Sequence, residues 1–215
     1  MPTTRKTEDA KVISIPKIDI RTISFRIVGD SPLIMHAWDP KTKEEMLDKM
    51  LGKAKTKVRE QKDPVREFIE SMYWLEGKPE KLTSAGFEAA MKSGKAKFGF
   101  PSVAFKSAAV SAGYRAKVSK DKVSMYGAFH IDSQYVEING TPVMREDMVR
   151  VSNGAPDIRY RGEFPEWFAD VAIRYNAGVL SDEQVVNLFN LGGFAVGVGE
   201  WRPEKGGVHG MFSVH

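Results

Sequence analysis

Three groups of residues in this 215-residue chain carry side chains fit for chemistry. The first is a run of arginines in mid-chain, Arg145, Arg150, Arg159 and Arg161. Arginines on an extended hairpin can neutralise phosphates. They can equally pair with their own acidic neighbours, Glu146, Asp147 and Asp157. The second group lies in a tail from Gly192 to Gly210 that holds seven of the 19 glycines, together with Trp201, Arg202, Lys205 and His209. Glycines let backbone N–H groups approach an anion closely, and an indole or a guanidinium beside them can stack or pair. A tight structural turn would use the same composition. The third group is histidine. Histidine as a residue type titrates near neutrality, so His36 and His209 are the candidates for general-base work. No acid partner is fixed to either by spacing. His36 ends an apolar run, which also suits a half-buried histidine, and His209 also reads as a plain loop residue. No catalytic residue is assigned. Glu200 and Glu204 straddle Trp201-Arg202-Pro203 and read as local partners of arginine or lysine.

These residues need elements to position them. Ile23, Phe25 and Ile27 alternate as in a half-buried strand, and so do Trp167, Ala169, Val171, Ile173 and Tyr175. Pro101-Ser102 starts a helix near 102–115 whose face, Phe105, Ala108, Ala109 and Ala112, is small enough for close packing. Ser181 and Gln184 form a capping box for a helix near 182–191 with Val185, Leu188, Phe189 and Gly192 on one face. Ala128 and His130 read as strand, as does Tyr135 to Ile138, and Asn139-Gly140 reads as a hairpin turn leading to Val143. Met144 to Val151 reads as extended, and Met211 to His215 as a short closing strand.

The order strand, helix, strand, strand, helix, strand is that of a ferredoxin-like (RRM-like) α+β domain. Residues 1–11 read as a flexible tail, with strand pattern from Val12. The rest, 12–215, reads as a single domain with a helical insertion at about 41–95 and a hairpin insertion at about 132–162. Within the first insertion, Met46, Leu47, Met50, Leu51 and Ala54 suggest a helix over 43–60. Asp63-Pro64 opens another, which Gly77-Lys78-Pro79 ends.

Composition excludes several classes of function. With no cysteine, disulfides, cysteine zinc sites, iron–sulfur clusters and a thiol nucleophile are all out. Four histidines give a metal centre little support, and no cofactor is expected. No run of about 18 apolar residues exists for a membrane span, and the polar N-terminus does not read as a secretory signal. No membrane partner is expected, and a cytoplasmic location fits. The net charge of +4 is unevenly spread: residues 41–62 hold eight Lys or Arg against four acids. Such excess suits a nucleic-acid partner or a merely solvated face.

Two segments carry a resemblance. Phe100-Pro-Ser-Val-Ala-Phe-Lys-Ser-Ala-Ala-Val110 resembles the start of the first helix in the RAMP superfamily, which includes the crRNA-binding backbone and processing subunits of CRISPR effector complexes. The glycine-rich loop before the last strand resembles that superfamily's other hallmark. The runs Gly29 to His36 and Gly197-Val-Gly-Glu-Trp-Arg-Pro-Glu-Lys205 are also similar to those of bacteriophage proteins. The resemblance covers roughly residues 20–36 and 98–215. It implies single-stranded DNA or RNA as partner and self-association into an oligomer or filament along the strand. It also implies an inserted hairpin that reaches a neighbouring subunit, with Tyr135 and Met144 placed to wedge or stack.

The residues expected to contact the strand are Lys106, Arg115, Lys117, Arg145, Arg150, Arg159, Arg161, Trp201, Arg202 and Lys205. Lys120 and Lys122 are cheap additions. Processing members of the superfamily use a histidine near the glycine-rich loop, and target-cleaving members an aspartate after the first strand. That keeps open a metal-independent RNA endonuclease of the CRISPR RNA-processing type acting through His36 or His209; Asp39 is the residue that matches the aspartate of the target-cleaving members. A structural protein that mimics a CRISPR subunit is a third possibility.

Overall fold

The computed structural model describes residues 17–38, 40–53, 61–150 and 154–215. The tail 1–11, the strand onset at Val12, Asp39, Ala54 and Val151 lie outside them. The chain opens with strand β1 (Ile20–Gly29), the two-residue strand β2 (Leu33–Ile34) and helix α1 (Pro40–Met50). Asp63 accepts from the N–H groups of Val65 and Arg66 and so caps α2 (Pro64–Glu70), with proline in its first turn. Strand β3 (Tyr73–Glu76), helix α3 (Ser84–Lys92) and strand β4 (Lys97–Pro101) follow. Then come α4 (Ser102–Arg115), α5 (Lys122–Ala128), β5 (Phe129–Ile131) and β6 (Tyr135–Ile138). The last part comprises β7 (Val143–Arg150), β8 (Pro156–Phe164), β9 (Phe168–Asn176), α6 (Asp182–Ala195), a short 3-10 turn at Pro203–Lys205, and β10 (Phe212–Val214).

The fold is α+β, with three antiparallel sheets among the described residues. The four-stranded sheet runs β10-β1-β9-β5, and β1, α4, β5, β9, α6 and β10 follow one another as β-α-β-β-α-β, an arrangement consistent with a ferredoxin-like fold. The other two sheets run β2-β8-β7 and β3-β4-β6. Ile27, Val171, Ile173 and Tyr175 point from the large sheet into a core shared with Phe105, Phe129, Phe189 and Phe212. Burial of each such side chain contributes about 1.5–3 kcal/mol. The small face of α4 lets α6 come close: a Cβ on Gly192 would lie 2.8 Å from the backbone nitrogen of Ala109. The Ser181–Gln184 capping box forms as expected.

Three local expectations are corrected. The helix after Asp63 stops at Ser71, and β3 takes the residues next to it. Tyr73 and Trp74 are bulky aromatics that favour strand, and β3 finds a partner in β4. Asn139-Gly140 is not a hairpin turn between β6 and β7. Instead β6 pairs with β4, which buries Val136 and Ile138, while Asn139 bridges Phe168 of β9. The hairpin joins β7 to β8. Between Lys120 and His130 an additional helix, α5, forms because Asp121 caps it through the N–H of Ser124. Among the described residues no helix is long and apolar enough to cross a membrane.

Candidate functional site

The glycine-rich loop follows α6 and is pinned on several sides. Val198 N–H donates to the Gly210 carbonyl at 2.9 Å, Glu200 N–H to Ile34 at 3.1 Å, His209 N–H to Trp201 at 3.0 Å, and Gly210 N–H to Pro32 at 2.8 Å. Gly210 has φ 66°, and a Cβ there would lie 1.7 Å from the Val198 carbonyl oxygen, so only glycine fits. With these N–H groups already bonded inside the protein, the loop is a tight structural turn rather than an open backbone clamp. Among the residues it presents outward, beside Lys205 and Val208, is Trp201. This residue is held at φ 53°, a left-handed conformation that costs a non-glycine residue roughly 1–2 kcal/mol, and it is 42% exposed.

Two arginines of the nominated set are committed to the loop's own architecture. Arg202 pairs with Glu204 at 3.0 Å and donates to the Gly199 carbonyl at 3.2 Å. Arg115, at the end of α4, pairs with the other oxygen of Glu204 at 2.8 Å. Burial pushes the Glu204 carboxyl up, but the two arginines outweigh it and hold it below the usual glutamate range.

The hairpin packs against this loop through a second ion network. Asp147, 7% exposed, accepts from Arg145 Nε at 2.8 Å and from Arg161 at 3.2 Å. Arg145 also reaches Glu163 at 3.0 Å and His209 Nε2 at 3.3 Å. Arg161 is only 5% exposed, so it cannot meet a strand in solvent, and among the described residues its Nε is buried without a partner, as is His209 Nδ1. Arg145 and Arg161 therefore follow the self-pairing alternative, since both lie beside Asp147 in the β7–β8 ladder. Arg159 pairs with Asp157 at 2.8 Å, and Lys62 shares that carboxylate. Lys62 first, with help from Arg159, holds the Asp157 carboxyl below the usual range.

Between loop and hairpin lies a cleft of about 680 Å³, lined by Met148, Arg150, Arg161, Glu200, Trp201 and Lys205. Arg150 and Lys205 are exposed and make no ion pair among the described residues. Arg161 also lines an adjoining hollow of about 400 Å³ with His36, Trp38, Glu70 and Arg159. His36 and Glu200 connect the two: His36 Nδ1 is 3.6 Å from Glu200 Oε1. That polar contact, with the charges of Arg161 and Arg202, holds the Glu200 carboxyl below the usual range against the upward push of burial. His36 is fixed by backbone bonds on either side, Met35 N–H to Gly162 and Ala37 N–H to Ser71, and its own carbonyl accepts from the Tyr73 hydroxyl at 3.5 Å.

The remaining nominated residues lie elsewhere. Lys106 sits 3.2 Å from His130 Nδ1, near the rings of Tyr126 and Phe129, where burial pushes its pKa down. At 1.5 Å per residue it is about 13 Å along α4 from Arg115. Lys117 is exposed just past that helix, at φ 59°. Lys122 reaches Ser111 at 3.4 Å. Tyr135 packs against Tyr73 in the β3-β4-β6 sheet and is not on the hairpin, whereas Met144 is on it and half exposed.

The sequence reading missed the pairing of His36 with Glu200; it named Asp147 as an arginine partner but not its burial. Asp147 had a signal: it is two residues from Arg145, on the same face of a strand. A further hollow of about 710 Å³ on the open face of the large sheet, with Arg26, Asn139, Trp167 and Phe168, was also missed. There Arg26 lies 4.3 Å above the Phe168 ring and pairs with Asp170 at 2.8 Å. Among the described residues no group of three or more His, Asp or Glu is placed to hold a metal ion.

No protein-family model and no curated protein matches the chain. Among solved structures, the crystal structure of Cmr6 from Pyrococcus furiosus is similar to 93% of this chain and 100% of its own, at 9% identity and a TM-score of 0.43.

Proposed function

We propose that the protein binds single-stranded nucleic acid, DNA or RNA, without strict sequence dependence, in the cleft between the glycine-rich loop and the β7–β8 hairpin. One observation carries this reading. A half-exposed Trp201 stands in a strained conformation beside two cations with no ion-pair partner among the described residues, Arg150 and Lys205. An indole stacks on any base, and the cations meet the adjacent phosphates. Met148, 74% exposed on the hairpin wall, adds apolar surface for a base. The β-α-β-β-α-β sheet with a glycine-rich loop before its last strand supports a RAMP-type fold, and with it assembly of several copies along one strand.

The test is fluorescence anisotropy with labelled 40-mer DNA and RNA, sedimentation of the complex, and a gel of the recovered strand. Wild type should bind intact strand and sediment as multiples of the monomer. Trp201→Gly keeps the left-handed turn at lower strain and should fold at least as well, yet lose roughly 10- to 100-fold in affinity. Absence of binding by wild type would overturn the reading and leave a structural or interaction protein.

RNA cleavage is a second reading, favoured by the contact of His36 with Glu200 at the cleft's edge. It supplies the carboxylate that would orient His36 as a general base for a 2′-hydroxyl. Shortened RNA on the gel, abolished by His36→Ala but not by His209→Ala, would establish it.

A further inference from the structure

A carboxylate does not belong in a cleft that serves phosphates alone. Glu200 lines the wall beside Trp201, and its side chain is 43% exposed. His36, Arg161 and Arg202 keep it ionised. Neighbouring residues of an extended chain point to opposite sides. Here the left-handed turn at Trp201 breaks that alternation, and both side chains face the same cleft. A phosphate would be repelled by Glu200. The nucleic-acid groups it attracts are the N–H donors on base edges, and these are unequally shared. Cytosine carries an exocyclic amino group with two N–H donors where thymine and uracil carry an acceptor oxygen, their one edge donor being the N3–H that lies between two carbonyl oxygens. Arg150 and Lys205, by contrast, are free to take the phosphates on either side.

We propose that Glu200 reads the base stacked on Trp201, accepting a hydrogen bond from an exocyclic amino group, so that the cleft prefers cytosine to thymine or uracil. This rests on the nucleic-acid reading above and adds a specificity to it. The two pyrimidines compared offer similar stacking surface, so the difference isolates the edge contact. A charge-assisted hydrogen bond against a like-charged clash gives roughly tenfold discrimination.

The experiment is equilibrium binding of full-length protein at pH 7.5 to 12-mers of dC and of dT, repeated with the ribo-oligomers of C and U. Wild type should bind the cytosine strand roughly tenfold tighter. Glu200→Gln, which keeps the shape but can donate as well as accept, should bring the ratio to near unity, and Glu200→Ala should do the same. Equal affinity of wild type for both oligomers overturns the base-reading role and leaves strand binding standing. A cytosine preference that survives Glu200→Gln also overturns it. Binding to no oligomer overturns both readings together.

Discussion

At the scale of single residues, the His36–Glu200 contact couples pH to stability. The Glu200 carboxyl lies below its ordinary value of 4.5 in the folded protein. Its stabilising contribution is therefore fully present above that value and is lost as pH falls through the lower folded pKa. Thermal unfolding of wild type and Glu200→Gln between pH 7 and 3 should show wild type more stable at neutral pH and the gap narrowing toward pH 3. A gap that stays constant with pH would mean the contact is not charge-dependent. Neither histidine shows a partner in the sequence. His36 and Glu200 are 164 positions apart, and backbone bonds such as Glu200 N–H to Ile34 and Gly210 N–H to Pro32 bring the two segments together.

At the scale of elements, the β7–β8 hairpin illustrates how a charge pattern can mislead. Four arginines on extended chain look like a phosphate-binding ladder, but a strand sends alternate residues to opposite faces, and one face here is buried. Arg161 on that face needs an anion inside the protein, and Asp147 supplies it. Removing one partner of a buried pair leaves the other uncompensated and typically costs about 3–5 kcal/mol. Asp147→Asn should lower the urea unfolding free energy by about 3 kcal/mol. The double variant Asp147→Leu, Arg161→Met should recover most of it. A loss below about 1 kcal/mol would show that solvent reaches the pair. The misplaced hairpin turn has a related origin. Asn139-Gly140 has suitable turn chemistry, but burial of Val136 and Ile138 against β4 fixes β6 in another sheet.

At the scale of the whole molecule, the count of unpaired cations at the cleft sets the salt dependence. Most nominated arginines are internally paired, so a single copy contributes about two phosphate contacts, through Arg150 and Lys205. For single strands the slope of log affinity against log salt is about −0.7 per contact, or about −1.4 in all. A salt titration should return that value per bound copy, and Lys205→Ala should reduce its magnitude by about 0.7. A slope several times steeper would mean that Lys106, Lys117 and the paired arginines also reach the strand.

The sequence by itself determined the α+β class, the Ser181–Gln184 capping box and the segments that build the core, because periodicity and capping are local consequences of chain geometry. It also located the glycine-rich loop and Trp201, since so many glycines around one aromatic residue are a local signal. Which arginines are free, which histidine has an acid beside it, and which strand β6 joins were decided only by the tertiary structure. The acid beside the histidine and the partner of β6 are contacts between residues far apart in sequence, whereas Arg145, Arg159 and Arg202 pair with acids only two residues away, and for them the decision lies in which face the fold buries. A side chain's partner depends on which face is buried, and the competition between solvent and a distant carboxylate leaves no mark in the spacing of nearby residues.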